Sequence, residues 1–328
     1  MRSAADLIAR YTWLVGAATL VFCGVVLLVG PPSPRAAAVT MLVAVGLLGL
    51  PHGSYDLEIG RRLFSKRLGG SWWLAFGAAY LVCALLALGF WIVAPWLGLT
   101  LLLVGGALHW GADDLEATTG SPRTRAWLAA SRGAIPVAGP LLFAPGEVAT
   151  IFASLVGQSE VSARWTVAAG GVVLLLALPG LIRIVALTRR TNPGAAWRSV
   201  LEPAALLALC AAVSPTLAFT VYFCFWHAVR HSIRSAANAD PAKTPPQAAR
   251  AYLLAVAVPT VLTWALGAVA WLTIETEPLT VPATWRLVFV GLFALTVPHV
   301  VLEWIENRTK YNHLADTACR TLELQQEP

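Results

Sequence analysis

Residues 72–93 read Trp72-Trp73-Leu74-Ala75-Phe76-Gly77-Ala78-Ala79-Tyr80-Leu81-Val82-Cys83-Ala84-Leu85-Leu86-Ala87-Leu88-Gly89-Phe90-Trp91-Ile92-Val93, without one charged residue. As an α-helix this stretch is about 33 Å long, enough to cross a hydrocarbon core of about 30 Å. Comparable runs recur along the whole 328-residue chain. Ten can be read, at roughly 11–30, 36–56, 72–93, 95–112, 130–156, 165–188, 199–213, 215–235, 250–273 and 285–306. The chain is therefore expected to be all-α, a polytopic transmembrane helical bundle of about ten spans. Composition agrees: 58% of residues are hydrophobic and 12% charged, about half the charge of a soluble domain. No polar stretch is long enough to fold alone. Residues 1–328 read as a single integral-membrane domain, with 310–328 as a polar cytoplasmic tail.

The first run is too long for the apolar core of a signal peptide and no small-residue cleavage site closes it, so it reads as a retained span. Pro136, Pro140 and Pro145 predict a kink or break within 130–156. Ser214-Pro215 predicts the turn between the seventh and eighth runs.

Lys and Arg set the orientation. With Arg2 and Arg10 in the cytoplasm, the cytoplasmic loops hold Arg61, Arg62, Lys66 and Arg67; Arg123 and Arg125; Arg189, Arg190 and Arg198; and Arg234, Lys243 and Arg250. The tail adds Arg308, Lys310 and Arg320, while the opposite loops hold only Arg35, Arg164 and Arg286 and carry Glu275 and Glu277. Both termini are expected in the cytoplasm, in a multi-pass protein of the cell inner (plasma) membrane. These loops account for the net charge of +6. No basic stripe interleaved with exposed aromatics is present, so no nucleic-acid partner is expected. Cys23, Cys83, Cys210, Cys224 and Cys319 show no CxxC pairing and read as small packing residues.

Of six histidines, five fall near the inner ends of runs that cross in the same direction. His52 lies in Pro51-His52-Gly53-Ser54-Tyr55-Asp56, and His109 in His109-Trp110-Gly111-Ala112-Asp113-Asp114. His227 and His231 lie in Phe225-Trp226-His227-Ala228-Val229-Arg230-His231, and His299 in Pro298-His299-Val300-Val301-Leu302-Glu303. His313 lies in the tail. His52 precedes Arg61 by nine residues, about 13 Å of helix, which places the set in the inner leaflet. Ionisable groups there usually face the bundle interior.

His227 and His231 are four apart, on one helix face, and can ligate one metal. Asp56, Asp113 and Glu303 each follow a histidine by four residues, where a carboxylate can accept the second imidazole N–H and fix the ring. An all-imidazole site suits iron, copper or zinc. Cys224 reads as packing and Arg230 as a basic anchor at the inner leaflet. No CxxCH, P-loop or GxGxxG string is present, which excludes covalent haem attachment and argues against nucleotide binding.

Gly49-Leu50-Pro51-His52-Gly53-Ser54-Tyr55-Asp56, His109-Trp110-Gly111-Ala112-Asp113, the string from Tyr222 to His231, and Pro298-His299 together resemble the Brp/Blh family of membrane-bound β-carotene 15,15′-dioxygenases. Arg132-Gly133 through Pro140, Phe143 and Pro145 adds to the likeness. It covers most of the chain, though the first span and 236–248 contribute nothing.

The resemblance implies non-haem Fe(2+), with His52, His109, His227 and His231 as the catalytic, metal-ligating set. His299 would be an additional pocket residue, with Asp56, Asp113 and Glu303 behind the ligands. It implies oxidative scission of the central double bond of β-carotene by O₂ into two retinal molecules. The substrate would enter from the lipid, and the product would link the protein to a retinal-binding rhodopsin. Trp110, Phe223, Phe225, Trp226 and Trp304 would line its tunnel. Two other classes remain open: a membrane transporter with a histidine metal or proton site, and another non-haem iron oxygenase acting on lipids.

Overall fold

The computed structural model describes residues 4–115, 121–193, 196–239, 243–274 and 280–324, without side-chain detail for 4–5, 274 and 310–324. His313, Lys310, Cys319 and Arg320 of the tail, and Glu275 and Glu277, therefore lie outside what can be described. All regular structure among the described residues is helical.

The chain begins with α1 (Ala4–Val29). Next, α2 (Pro34–Ala44), a wide π turn (Val45–Gly49), α3 (Leu50–Ser54) and α4 (Asp56–Leu68) follow one another almost without a break. Ser33 starts this rod: its hydroxyl accepts from the Ala36 N–H, and Pro34 occupies the first turn, where no N–H is needed. Gly69, at φ +61°, ends it. The chain reverses there, and α5 (Trp72–Val93) packs back on α4.

Helix α6 (Pro95–Asp114) follows, then α7 (Pro122–Gly133), α8 (Ile135–Phe143), α9 (Pro145–Val156), α10 (Ala163–Thr191) and α11 (Arg198–Ala212). The last part comprises α12 (Pro215–Thr220), a second π stretch (Val221–Ala228), α13 (Val229–Ala239), α14 (Pro245–Ile274) and α15 (Val281–Leu324).

Among the described residues, seven helical stretches are long and apolar enough to cross a membrane: Asp6–Val29, Pro34–Val93, Pro95–Asp114, Pro122–Phe143, Ala163–Thr191, Pro245–Thr273 and Val281–Thr309. Pro34–Val93 contains two of the runs read from sequence, 36–56 and 72–93, on either side of the reversal at Gly69. The runs at 199–213 and 215–235 fall on α11 and on α12 through α13, outside those seven. Prolines break 130–156 as expected, with Pro136 opening α8 and Pro145 opening α9. Ser214-Pro215 is the turn before α12. Leu28, Val93 and Leu272 are 88%, 85% and 74% exposed. An apolar exterior of this kind fits lipid, not water, and the chain is a multi-pass helical membrane protein.

Two contacts fix the helices that matter most for the interior. Helices α6 and α7 touch backbone to backbone: a Cβ on Gly111 would lie 1.7 Å from the Ala129 carbonyl oxygen, and one on Gly133 1.9 Å from that of Ala107. Only glycine permits so close an approach, as at other membrane helix crossings. Helix α14 is fastened to α3 by Tyr252 Oη, which donates to the Pro51 carbonyl (3.1 Å), and by Thr260 Oγ1, which donates to Ser54 Oγ (2.9 Å).

Candidate metal centre

Four helical segments each deliver histidine to one point: α3 carries His52, α6 His109, the second π stretch and α13 carry His227 and His231, and α15 carries His299. Eight of the ten pairs among these five rings have centroids 5.0–6.1 Å apart. His52, His227, His231 and His299 are buried, and the His109 side chain is 6% exposed. Both π stretches adjoin this point. Single π turns are rare and cluster at functional sites. Here the wider turn of Val221–Ala228 carries Phe223 and His227 into the interior.

The carboxylates do not serve the histidines of their own helices, as their spacing had suggested. Each reaches across to another helix. Asp56 of α4 accepts from His299 Nδ1 (2.8 Å), Glu303 of α15 from His109 Nδ1 (3.0 Å), and Asp113 of α6 from His231 Nδ1 (2.6 Å). His52 Nδ1 donates to the carbonyl of Gly49 one turn back. A carboxylate or carbonyl oxygen can only accept, so each of these four Nδ1 atoms carries a proton, and in the neutral ring the Nε2 lone pair is left over. His227 is the exception: its Nδ1 is 3.8 Å from Asp113, and neither of its nitrogens is hydrogen-bonded.

Nε2 of His109, of His227 and of His299 are buried without a hydrogen-bond partner. Each such group would cost about 1–3 kcal/mol if nothing met it. Their convergence supplies what could meet them. Ligand atoms of His109, Asp113, His227 and His231 lie within 4.8 Å of one another, as do those of His52, His109 and His299, and those of His231, His299 and Glu303. The donor set is mainly imidazole, which suits a first-row transition metal better than calcium or magnesium.

A buried ionic network that the spacing of histidines did not reveal braces the centre. Arg230 is not an inner-leaflet anchor: it is 5% exposed, and its guanidinium pairs with Asp114 (2.7 Å) and Glu202 (3.2 Å) while its Nε–H donates to the Trp226 carbonyl (2.7 Å). Glu202 also binds Arg132 of α7. On the other side of His231, Arg234 pairs with Asp113 (3.1 Å). Ion pairs thus clamp the end of α6 to α13 on both sides of a histidine. The sequence signal was present, because Arg132 and Glu202 fall inside apolar runs where charge is costly. Glu202→Gln would leave two buried guanidiniums without their shared carboxylate. A loss of about 3–5 kcal/mol is expected, read as a lower unfolding midpoint in detergent, with Glu202→Asp milder.

A cavity of about 470 Å³ meets the centre on the side of His52, His109 and His299. Its other walls are almost wholly apolar, with Tyr80, Trp110, Phe219, Phe223 and Phe289 among them. Of the expected aromatic lining, Trp110 and Phe223 are there. Trp226 is not: it is buried against α1 and α11, where its indole N–H donates to Thr19 Oγ1 (3.0 Å). Phe225 and Trp304 are exposed on the outside of the bundle. Cys224 is fully buried among apolar neighbours of another core cluster, as packing predicts.

The family of beta-carotene 15,15′-dioxygenases matches residues 43–306 of this chain. The probable beta-carotene 15,15′-dioxygenase Blh of Halobacterium salinarum is 29% identical over 84% of this chain and 86% of its own length. The beta-carotene 15,15′-dioxygenase of an uncultured marine bacterium is 26% identical over 80% and 90%. The probable beta-carotene 15,15′-dioxygenase Brp of H. salinarum is 28% identical over 82% and 83%. No solved structure matches the chain. The matched region begins just before His52 and ends just after Glu303, taking in every residue of the histidine centre, and the chain belongs to the Brp/Blh family of beta-carotene 15,15′-dioxygenases.

Proposed function

We propose that this chain is a non-haem iron oxygenase of the inner (plasma) membrane that cleaves the central 15,15′ double bond of β-carotene with O₂ into two all-trans-retinal molecules. The observation that carries this reading is the meeting of a buried imidazole cluster with an apolar cavity of about 470 Å³. His52, His109, His227 and His231 hold the iron, and Asp113, Glu303 and the Gly49 carbonyl keep three of these rings in one tautomer. When bound, ferrous iron supplies the activation of O₂. The overall change replaces one C=C with two C=O bonds, so one O₂ balances it and no external reductant is needed.

The protein's own part is to bind, orient and keep dry. Apolar walls hold a polyene by contact and exclude water. The lining runs from α5 and α14, which pack beside the helices of His52 and His299, to α8 and α9, which pack beside the helix of His109. Leu81 of α5 and Leu262 and Leu266 of α14 line the cavity and are 52%, 59% and 64% exposed. That is a lateral entrance for a substrate dissolved in lipid. A product formed in a cavity inside the membrane bundle is released within the same membrane, where a retinal-binding rhodopsin can collect it; both termini lie in the cytoplasm in this reading.

The test is expression in cells that make β-carotene. Bleaching of the orange colour with formation of retinal is expected. Persistent colour without retinal, in cells that make the protein and are supplied with iron, overturns the proposal.

A further inference from the structure

We infer that His299 is a fifth metal-binding imidazole of this centre, not a pocket residue beside it. The inference deepens the proposed iron site and rests on that reading.

His299 is prepared as a ligand more fully than His227 is. Its Nδ1 donates to Asp56, with 2.8 and 3.0 Å to the two carboxylate oxygens, and Asp56 is 3% exposed. Asp56 is itself held by Tyr80, whose hydroxyl donates to Oδ2 at 2.9 Å. This chain of three groups from α5, α4 and α15 fixes both the tautomer and the plane of the ring. A histidine that donates one N–H to a carboxylate while its other nitrogen faces the metal is the usual arrangement of a ligating imidazole.

The other nitrogen faces the cluster. His299 is 4% exposed, and its Nε2 is buried with no hydrogen-bond partner. The nearest carboxylate oxygen, Glu303 Oε1, is 3.6 Å away, too far for a hydrogen bond. The ring lies 5.6, 5.1 and 5.8 Å from those of His52, His109 and His231. Its donor atom is within 4.8 Å of theirs in two overlapping sets, one with His52 and His109 and one with His231 and Glu303. Donors sharing one metal at about 2 Å lie within roughly 4 Å of each other, so within each set small side-chain rotations bring the His299 nitrogen and its neighbours to one ion. A pocket histidine would instead spend Nε2 on a hydrogen bond.

The experiment uses full-length protein purified in detergent and loaded anaerobically with Fe(II), or with Co(II), whose d–d bands report its donor set. Wild type is expected to bind about one iron per chain. His299→Gln is expected to bind Fe(II) at least about tenfold more weakly and to shift the Co(II) bands. Asp56→Asn keeps the ring but loosens it, and is expected to weaken binding about 10–100-fold, as loss of an outer-shell partner does. Wild-type affinity and an unshifted Co(II) spectrum in His299→Gln overturn the inference. The same result in Asp56→Asn overturns it even where His299→Gln fails to fold. A wild-type protein that binds neither metal overturns the proposed function together with this inference, whereas normal iron in both variants overturns this inference alone.

Discussion

Replacing His231 with alanine is expected to abolish iron binding and β-carotene cleavage together. Iron should fall from about one per chain to below a tenth, and retinal formation by at least about 100-fold, the upper end of what outer-shell changes alone cost. The reason is local. His231 presents its Nε2 to the centre only because Asp113 holds Nδ1 at 2.6 Å. Removing the ring leaves Asp113 still paired with Arg234 at 3.1 Å, so the helices keep their clamp and the loss falls on the metal rather than on the fold. Asp113→Asn separates the two contributions. The ring stays, its orientation loosens, and iron affinity should drop about 10–100-fold without vanishing. His227→Ala should resemble His231→Ala, but no carboxylate stands behind His227 to grade its effect in the same way. Metal content and retinal yield measured on the same preparations decide the matter. Wild-type iron in His231→Ala removes that residue from the ligand set.

The sequence made the helices and the histidines legible for one reason. A membrane helix needs a long uncharged run, and an imidazole inside such a run is rare enough to stand out. Five histidines near one end of parallel runs therefore implied one site before any helix was placed beside another. The pairing of carboxylates was not legible. Asp56, Asp113 and Glu303 share faces with His52, His109 and His299, so a sequence reading joins them within each helix. In the bundle the Nδ1 of His109, of His231 and of His299 points sideways, toward a neighbouring helix. The acceptor comes from there, across separations such as the 243 residues between Asp56 and His299.

The misplaced aromatics have a similar cause. Phe223 is four residues before His227 and shares its face. Trp226 and Phe225 are turned by about 100° and 200° from it, toward α1 and the outside. Tyr80 gave no sign at all: one hydroxyl in the apolar stretch 72–93 acquires meaning only when α5 lies against Asp56.

Gly111→Ala is expected to be the most damaging substitution outside the centre itself. The added Cβ would lie 1.7 Å from the Ala129 carbonyl oxygen, 2.6 Å from the Ala129 carbonyl carbon and 2.8 Å from the Gly133 nitrogen. All three are backbone atoms, so no side chain can rotate away. Helix α7 must retreat from α6 by about 1.5–2 Å to restore ordinary contact distances. Gly111 sits two residues after His109 and two before Asp113, and α7 carries Arg132, which pairs with Glu202. The retreat therefore disturbs His109, the carboxylate partner of His231 and the ionic brace at once. Overpacking of side chains usually costs about 1–3 kcal/mol; a clash between two main chains should exceed that range. The expected result is little folded protein in the membrane, and iron below about a tenth per chain in what remains. Gly105→Ala is the control, because it lies on the same helix with nothing within 4 Å of its added Cβ. It should accumulate, melt and bind iron as wild type does. Equal behaviour of the two variants would mean that α6 and α7 do not meet at Gly111, and the positions assigned to His109 and Asp113 would fall with that contact.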